Sequence, residues 1–304
     1  MSYRKIALLS AFLPLFMGCQ VEQTKKSEAP AQSLPPLSTF FACLPSDSAV
    51  IAAHRATSKD MNMAENALPS IKALYEGGIM MVEMDVAGLK EGVHILFHDG
   101  VWEEDTTGTG AVAASTWDEA STYLLRDNQG KLTSMVPGRL DEVLEFAKGR
   151  LYLELDFKSS AKYETVIDAV RAADMAEHVI LIAYTADQAQ KLASLAPEMM
   201  ISASIRENDD VADLIARGVK RENIAGWVGT VSDDLAIETM LNSKGFPVLA
   251  MGRRDLPKYA KTASVVVSSY ALSDKAEGDY PGIIGLTPQS QAAYESCLAH
   301  KTDG

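Results

Sequence analysis

The sequence lacks the features of membrane, disulfide-rich and nucleic-acid-binding proteins. Three cysteines among 304 residues are too few for a disulfide framework. A run of apolar residues near membrane length occurs only at the N-terminus, which excludes a polytopic membrane fold. The formal net charge of -13 at pH 7 has no basic run to offset it, so no nucleic-acid partner is expected. The remaining composition, 47% hydrophobic and 23% charged, is that of a globular protein.

The first 18 residues have the pattern of an export signal. Two basic residues precede an apolar run over residues 6–17, which Gly18 and Cys19 follow. The pattern resembles a bacterial lipoprotein signal, in which cleavage after Gly18 leaves Cys19 to carry the lipid. An ordinary signal peptide or an uncleaved anchor is the alternative. Because Gln20 follows the cysteine, we expect a periplasmic lipoprotein at the outer membrane, with the lipid anchor as its membrane contact.

The segment after the signal contains lysines and prolines without apolar periodicity. We interpret residues 19–45 as a lipidated linker and residues 46–304 as one domain. Cys43 and Cys297 lie near the two ends of that domain. Because a closed barrel brings its ends together and an exported protein can be oxidised, a disulfide between them is predicted, with two buried thiols as the alternative.

From residue 49 onward, β-branched or methionine-rich runs alternate with helical patterns, as in βα units around a parallel sheet. The predicted strands cover residues 49–53, 80–86, 151–157, 179–183, 199–205, 224–228, 247–251 and 264–268. The predicted helices cover residues 66–75, 140–148, 163–173, 186–195, 209–217 and 234–243. Eight such units in about 260 residues indicate a (β/α)8 TIM barrel of the α/β class. A doubly wound sheet would usually show a glycine-rich turn after its first strand, and none is there.

Two parts of this pattern are irregular. Residues 282–286 compete with residues 264–268 for the position of the last strand. An insertion over roughly residues 87–139, with a short strand at 94–97, follows the second strand. Connections of this length are more often functional than idle.

Ionisable residues collect at the ends of the first strands, which in a TIM barrel all meet at the catalytic mouth. Residues two apart on a strand share a face, so the carboxylates of each strand point the same way. In chain order the residues are His54 and Arg55, Glu83 and Asp85, His98 and Asp99, and Glu154, Asp156 and Lys158. Carboxylates aimed at one mouth repel each other unless a cation lies among them. Oxygen ligands select Mg²⁺ or Ca²⁺, so one such divalent cation is the expected cofactor.

The other histidines do not indicate a zinc site. His94 and His98 have the spacing of a helical zinc site, but the apolar residues between them favour a strand. His178 precedes a predicted strand and His300 lies near the C-terminus. We interpret both as structural or solvated.

Six motifs carry a resemblance to a known family. They are His54-Arg55-Ala56, Glu65-Asn66-Ala67, Glu83-Met84-Asp85-Val86, His98-Asp99, Asp105-Thr106-Thr107-Gly108-Thr109-Gly110 and Asp156-Phe157-Lys158. In order and approximate spacing they resemble the glycerophosphodiester phosphodiesterase family, which folds as a TIM barrel. The resemblance is strong over residues 49–160 and thinner beyond them.

The resemblance implies a role for each polar residue at the mouth. The implied roles are general acid and base for His54 and His98, metal ligation for Glu83, Asp85 and Asp156, phosphate binding for Arg55 and Lys158, and an auxiliary role for Glu65. Ala56 stands where the family usually has glycine, which requires a slightly roomier turn. Asp156 stands where the family more often has glutamate, and the resulting Asp-x-Lys form also resembles the related spider-venom sphingomyelinase D enzymes. Glu154 is assigned an auxiliary role beside the metal, with ligation as its alternative.

These roles predict a metal-dependent hydrolase that converts glycerophosphodiesters to glycerol 3-phosphate and an alcohol. The family implies attack by the adjacent glycerol hydroxyl, whereas the residues alone also allow attack by water. Tyr184 and Trp227 fall near the predicted mouth and are candidates for a substrate wall, together with Met251 and Tyr270. The alternatives are phospholipase D-like cleavage of lysolipid headgroups and a non-catalytic ligand-binding lipoprotein. The oligomeric state is left open.

Overall fold

The computed structural model describes residues 34–231 and 233–302. The predicted signal and Cys19 therefore lie outside the described residues. No helix in the described part of the chain is long and apolar enough to cross a membrane.

Eleven strands occur in the described residues, and eight of them form a closed parallel barrel. They are β1 Ala49–Ala53, β2 Met81–Gly88, β3 His94–Leu96, β4 Gly138–Arg139, β5 Tyr152–Phe157, β6 Val179–Ala183, β7 Met200–Ser204, β8 Ile224–Thr230, β9 Val248–Met251, β10 Val265–Ser268 and β11 Ile283–Ile284. The barrel consists of β1, β2 and β5 to β10, and it closes because β1 pairs in parallel with both β10 and β2. The predicted TIM barrel is confirmed.

Helices follow most of the barrel strands, and nine α-helices occur in the described residues. They are α1 Leu37–Cys43, α2 Leu68–Glu76, α3 Trp117–Ala120, α4 Leu140–Ala147, α5 Tyr163–Ala172, α6 Ala186–Leu195, α7 Asp210–Ala216, α8 Ala236–Ser243 and α9 Pro288–Thr302. In α4 the buried residues Leu140, Val143, Leu144 and Ala147 recur at three- and four-residue spacing, so one face of the helix packs into the core.

The two irregular regions are resolved by strand pairing. β10, near the end of the chain, pairs in parallel with β9 and β1, and it is the eighth barrel strand. β11 pairs antiparallel with β1 and adds to the sheet outside the barrel order. In the insertion, β3 pairs antiparallel with β2 and β4 with β3, which anchors the insertion beside the mouth.

The N-terminal boundary of the domain differs from the prediction. α1 lies inside the segment predicted as a linker, so that prediction is wrong for its last residues. Leu37 and Phe40 are buried, and the Phe40 ring lies 5.0 Å from the ring of Tyr152 at the start of β5. A seven-residue helix shows too few turns for its apolar periodicity to stand out from the sequence.

A disulfide joins the two ends of the domain. Cys43 at the end of α1 is bonded to Cys297 in α9, and their Cα atoms lie 5.6 Å apart. The bridge lies at the end of the barrel where the strands begin, since α1 packs against the start of β5. It is therefore far in the fold from the mouth.

Candidate active site

A cavity of about 160 Å³ opens where the barrel strands end. One side of it is polar and the other is mostly apolar. The polar side is formed by His54, Arg55, Glu83, Asp85, His98, Glu154, Asp156 and Lys158. The other side is formed by Ile182, Ala183, Tyr184, Ser202, Ser204, Trp227, Met251 and Val267. The cavity is thus lined by every residue predicted for catalysis, metal ligation and phosphate binding, and by the wall candidates Tyr184, Trp227 and Met251, whereas Tyr270 is not among its lining residues.

Three carboxylates meet because β2 and β5 are adjacent and in register. Asp85 is the register partner of Asp156, and Glu83 is the register partner of Glu154. Ligand oxygens of Glu83, Asp85 and Asp156 all lie within 4.8 Å of one another, and all three residues are buried. Burial, and then the charge of Asp85, raise the pKa of Glu83 well above its usual range.

The donor set fits a hard divalent cation. All three groups offer oxygen, the ligand atom that Mg²⁺ and Ca²⁺ prefer. Oδ1 of Asp156 is buried and has no hydrogen-bond partner, so a polar atom at this point lacks the contact that burial normally requires. A cation bound here would supply that contact and would offset the repulsion among the carboxylates.

Lys158 lies against the same carboxylates. Its Nζ atom is 2.7 Å from Oδ1 of Asp85 and 2.7 Å from Oδ2 of Asp156. The sequence predicts a contact of this lysine with phosphate, and the structure places its ammonium at the edge of the cavity on the acidic cluster. From that position it faces both the cluster and the space for a bound anion.

Arg55 is held at the mouth by two acidic residues. Its Nη1 atom donates to Oε1 of Glu65 at 3.0 Å, and its backbone N–H donates to Oε2 of Glu83 at 2.8 Å. Glu65 therefore acts on the site through Arg55. Arg55 and Ala56 have φ values of 52° and 51°, in the left-handed region. The turn at Ala56 thus requires more than extra room, because a side chain adopts this conformation at a cost that glycine avoids.

The two predicted catalytic histidines line the same cavity and have different partners. Nδ1 of His54 lies 3.2 Å from Oγ of Ser269, and its Nε2 lies 3.9 Å from Oε2 of Glu83. Burial, followed by the charge of Arg55, lowers the pKa of His54 to about 4. The imidazole of His54 is therefore neutral at pH 7 and able to accept a proton.

His98 is oriented by the residue that follows it. Its Nδ1 atom lies 2.7 Å from Oδ1 of Asp99. The backbone N–H of Phe97 donates to the carbonyl of Asp85 at 3.0 Å, which continues the pairing of β3 with β2 up to the histidine. The insertion after β2 thus brings a second imidazole to the acidic cluster.

Tyr184 has a contact beyond the wall role predicted for it. The residue is 58% exposed, yet its hydroxyl donates to Oδ2 of Asp156 at 2.7 Å. Trp227 lies on the mostly apolar side of the cavity. The sequence indicates that Tyr184 stands near the mouth, but nothing in it shows that the phenol reaches a carboxylate of another strand.

Glu154 lies in the cavity outside the cluster of three carboxylates. Only 1% of its surface is exposed, and neither carboxylate oxygen has a hydrogen-bond partner. Burial raises the pKa of Glu154 to about 8, although the Ser202 hydroxyl opposes this shift. Glu154 is thus a buried and largely protonated carboxyl group at pH 7.

Two further residues position the predicted groups without having been predicted themselves. Asn66 donates from Nδ2 to Oδ2 of Asp85 at 2.7 Å and accepts the backbone N–H of Asp85 at 3.1 Å. The Glu65-Asn66 motif is the feature of the sequence that could have identified Asn66 as a site residue. Ser269 faces His54 from the far end of the chain, and no motif marks it.

The family is decided by the match of its model to the chain. The model of the Glycerophosphoryl diester phosphodiesterase family matches residues 54–231. The chain belongs to this family. It is accordingly a phosphoric diester hydrolase, and the matched residues include the histidines, the three carboxylates and Lys158. Among curated proteins, no sequence matches this chain significantly.

Three solved structures of similar fold are each at most 20% identical to this family member. A glycerophosphoryl diester phosphodiesterase from Parabacteroides distasonis has a TM-score of 0.70 and 18% identity, over 84% of this chain and 99% of its own. A glycerophosphodiester phosphodiesterase from Agrobacterium tumefaciens has a TM-score of 0.60 and 20% identity, over 73% and 96%. A phosphodiesterase from Oleispira antarctica, in complex with the product sn-glycerol-3-phosphate, has a TM-score of 0.60 and 19% identity, over 84% and 99%. At these identities the similarity shows the fold.

Proposed function

We propose that this protein hydrolyses glycerophosphodiesters to glycerol 3-phosphate and an alcohol, with a divalent cation, Mg²⁺ or Ca²⁺, held by Glu83, Asp85 and Asp156. The observation that carries the proposal is that two imidazoles and a cluster of three carboxylates line one cavity. The family match and the product in the Oleispira antarctica structure support the choice of substrate.

The positive groups of the site suit a phosphodiester. Charge grows on the phosphate oxygens as the diester is cleaved, and fixed positive groups stabilise that charge. A bound cation would supply most of this stabilisation. Arg55 and Lys158 line the cavity beside the carboxylates and would contact the remaining phosphate oxygens. Glu65 keeps the guanidinium of Arg55 in place at 3.0 Å.

Cleavage also requires the transfer of two protons. The neutral His54 imidazole would take the proton of the attacking hydroxyl, and His98, held by Asp99, would give a proton to the departing alkoxide. Attack by the glycerol hydroxyl forms a cyclic phosphate and releases the alcohol, after which water opens the ring to glycerol 3-phosphate. Attack by water forms glycerol 3-phosphate directly.

The test is an assay of glycerophosphocholine and lysophosphatidylcholine with and without a chelator. We expect glycerophosphocholine to be hydrolysed and the chelator to abolish turnover until Mg²⁺ or Ca²⁺ is restored. His54→Ala and His98→Ala should each lose about 10²- to 10⁴-fold in kcat. His94→Ala is the matched control, because His94 lies on β3 outside the cavity, near Thr165.

Three outcomes would contradict the proposal or a part of it. Headgroup release from the lysolipid, without turnover of glycerophosphocholine, would indicate the phospholipase D-like alternative. Turnover of neither compound would indicate a ligand-binding protein. Near-normal rates in either cavity histidine variant would remove the acid and base assignment.

We also propose that the protein is exported and lipidated on Cys19. The signal-like residues 1–18 and the cysteine after Gly18 support this proposal. Incorporation of labelled palmitate that Cys19→Ser abolishes is the expected result. A protein that is processed without lipid would contradict it.

A further inference from the structure

Two basic side chains meet over one tyrosine at the rim of the mouth. The Nζ atom of Lys59 lies 5.3 Å from the centre of the Tyr270 ring, and Cζ of Arg254 lies 4.7 Å from it. These residues follow β1, β9 and β10, three neighbouring strands whose ends border the cavity. Lys59 and Arg254 are exposed. Within residues 34–231 and 233–302, neither side chain forms an ion pair within 4.0 Å.

This cluster is connected to the catalytic machinery through one residue. The backbone N–H of Lys59 donates to the carbonyl of Ser269 at 2.7 Å, and Ser269 precedes Tyr270 in the chain. The Ser269 hydroxyl lies 3.2 Å from Nδ1 of His54. The cluster therefore stands directly beside the cavity, within reach of the part of a substrate that extends out of it.

The cluster brings two cations to one part of the rim, each followed in the chain by an aspartate, Asp60 or Asp255. The chain has a formal net charge of -13, and the nearby insertion presents Glu103, Glu104 and Asp105 to solvent or to the rim. Bringing two cations together is unfavourable unless an anion joins them. A hydrogen bond from Arg254, followed by the charge of Lys59, lowers the pKa of the Tyr270 phenol. An anionic group is thus attracted to this part of the rim.

We propose that Lys59, Arg254 and Tyr270 form a subsite for an anionic substituent, a carboxylate or a phosphate, on the alcohol portion of the glycerophosphodiester. The inference rests on the proposed function and adds a specificity to it. Arginine binds carboxylate and phosphate through paired N–H donors, and lysine adds a point charge. The Tyr270 ring contacts both cations.

Two substrates that differ by one carboxylate test this subsite. We expect kcat/KM for glycerophosphoserine to exceed that for glycerophosphoethanolamine by roughly fivefold at low salt, since exposed ion pairs are modest and screened. Lys59→Ala and Arg254→Ala should each reduce this ratio towards one and leave glycerophosphoethanolamine turnover unchanged. Lys72→Ala is the matched control, because Lys72 also lies over an aromatic ring, 5.5 Å from the centre of Phe146, and α2 carries it away from the cavity.

The outcomes separate the subsite from the proposed function. Equal turnover of both substrates by the wild type, or an unchanged ratio in the variants, would overturn the subsite and leave the function intact. If neither substrate is hydrolysed, the proposed function is wrong. The subsite is then tested by calorimetric binding to the His98→Ala protein, through the ratio of the affinities for glycerophosphoserine and glycerophosphoethanolamine. Loss of binding to phosphatidylserine vesicles in the variants, with the substrate ratio unchanged, would assign the cluster to membrane contact and overturn the subsite.

Discussion

The hydroxyl of Tyr184 and the ammonium of Lys158 contact the same oxygen of Asp156. Both lie 2.7 Å from Oδ2, while Oδ1 of this residue is buried without a partner. One oxygen of the carboxylate is thus held by its neighbours, and the other is left for a ligand. The phenol comes from the end of β6, the strand next to β5, so the barrel itself positions the carboxylate that is shorter than the family's usual glutamate.

Tyr184→Phe should weaken cation binding while leaving the fold intact. Loss of a hydrogen bond to a metal ligand typically reduces metal affinity or activity about 10- to 100-fold. We expect a higher Mg²⁺ or Ca²⁺ concentration for half-maximal activity, and partial recovery of the rate when the cation is in excess. Titration of the metal-depleted enzyme with each cation measures the half-maximal concentration and the recovery of the rate.

A second phenol provides the control for this variant. The hydroxyl of Tyr163 accepts a hydrogen bond from Gln188 at 3.0 Å, outside the cavity. Tyr163→Phe removes the same group and should leave the cation titration unchanged. If Tyr184→Phe altered only KM for the substrate, the phenol would act as a wall rather than through Asp156.

Asp99→Asn should lower kcat through the orientation of His98. The carboxylate lies 2.7 Å from Nδ1 of that imidazole and fixes the orientation of the ring. We expect a loss of about tenfold or more in kcat, as part of the 10²- to 10⁴-fold that acid–base groups contribute, with little change in KM. Asp127→Asn is the control in the same insertion, because Asp127 accepts backbone N–H groups of its own turn. Equal losses in both variants would indicate a structural effect of the insertion.

The alternation of side chains along strands explains why much of the site was predictable. Glu83 and Asp85 are two residues apart, so both had to face the barrel interior if either did. The same period places Asp156 opposite Asp85 once β2 and β5 pair. Strand bounds agree to within about two residues because buried apolar runs are short and sharply limited by glycine and polar residues.

The contacts that complete the site depend on closure of the barrel, which local patterns do not encode. Ser269 reaches His54 across 215 residues because β10 pairs with β1. The start of α2 is also later than predicted. The backbone of Asn66 has a φ of 54°, which is not helical, and its side chain is hydrogen-bonded to Asp85. Helical periodicity at residues 66–75 contains no sign of that contact.

Glu154→Gln should stabilise the protein at alkaline pH. The folded chain keeps the proton of this buried carboxyl up to about pH 8, whereas the unfolded chain releases it near pH 4.5. Between these values the folded state binds more protons, so the contribution of Glu154 to stability falls as the pH rises. Glutamine has nearly the same shape and no proton to release, so the variant does not lose stability as the pH rises.

Thermal unfolding with a chelator present, at pH values of about 5 and 9, measures the effect of Glu154→Gln. We expect similar midpoints for wild type and variant near pH 5, and a higher midpoint for the variant near pH 9, with roughly 2–4 °C for each kcal/mol gained. Glu177→Gln, in the turn before β6, is a control at a position that is not buried. A lower midpoint of Glu154→Gln at the higher pH would mean that the ionised carboxylate has a stabilising partner.

Reduction of the bridge between Cys43 and Cys297 should destabilise the domain without a direct effect on the site. The bridge closes a loop with a sequence separation of 254, and cross-links of long loops typically contribute about 2–5 kcal/mol by restricting the unfolded chain. Because α1 covers the end of the barrel opposite the mouth, turnover well below the unfolding temperature should be unchanged in the double variant that carries Cys43→Ser and Cys297→Ser. Intact mass before and after reduction identifies the bond, and thermal unfolding with and without reductant measures its contribution. Equal midpoints in the oxidised and reduced protein would mean that packing of α1 on Tyr152, rather than the covalent bond, holds the N-terminal helix in place.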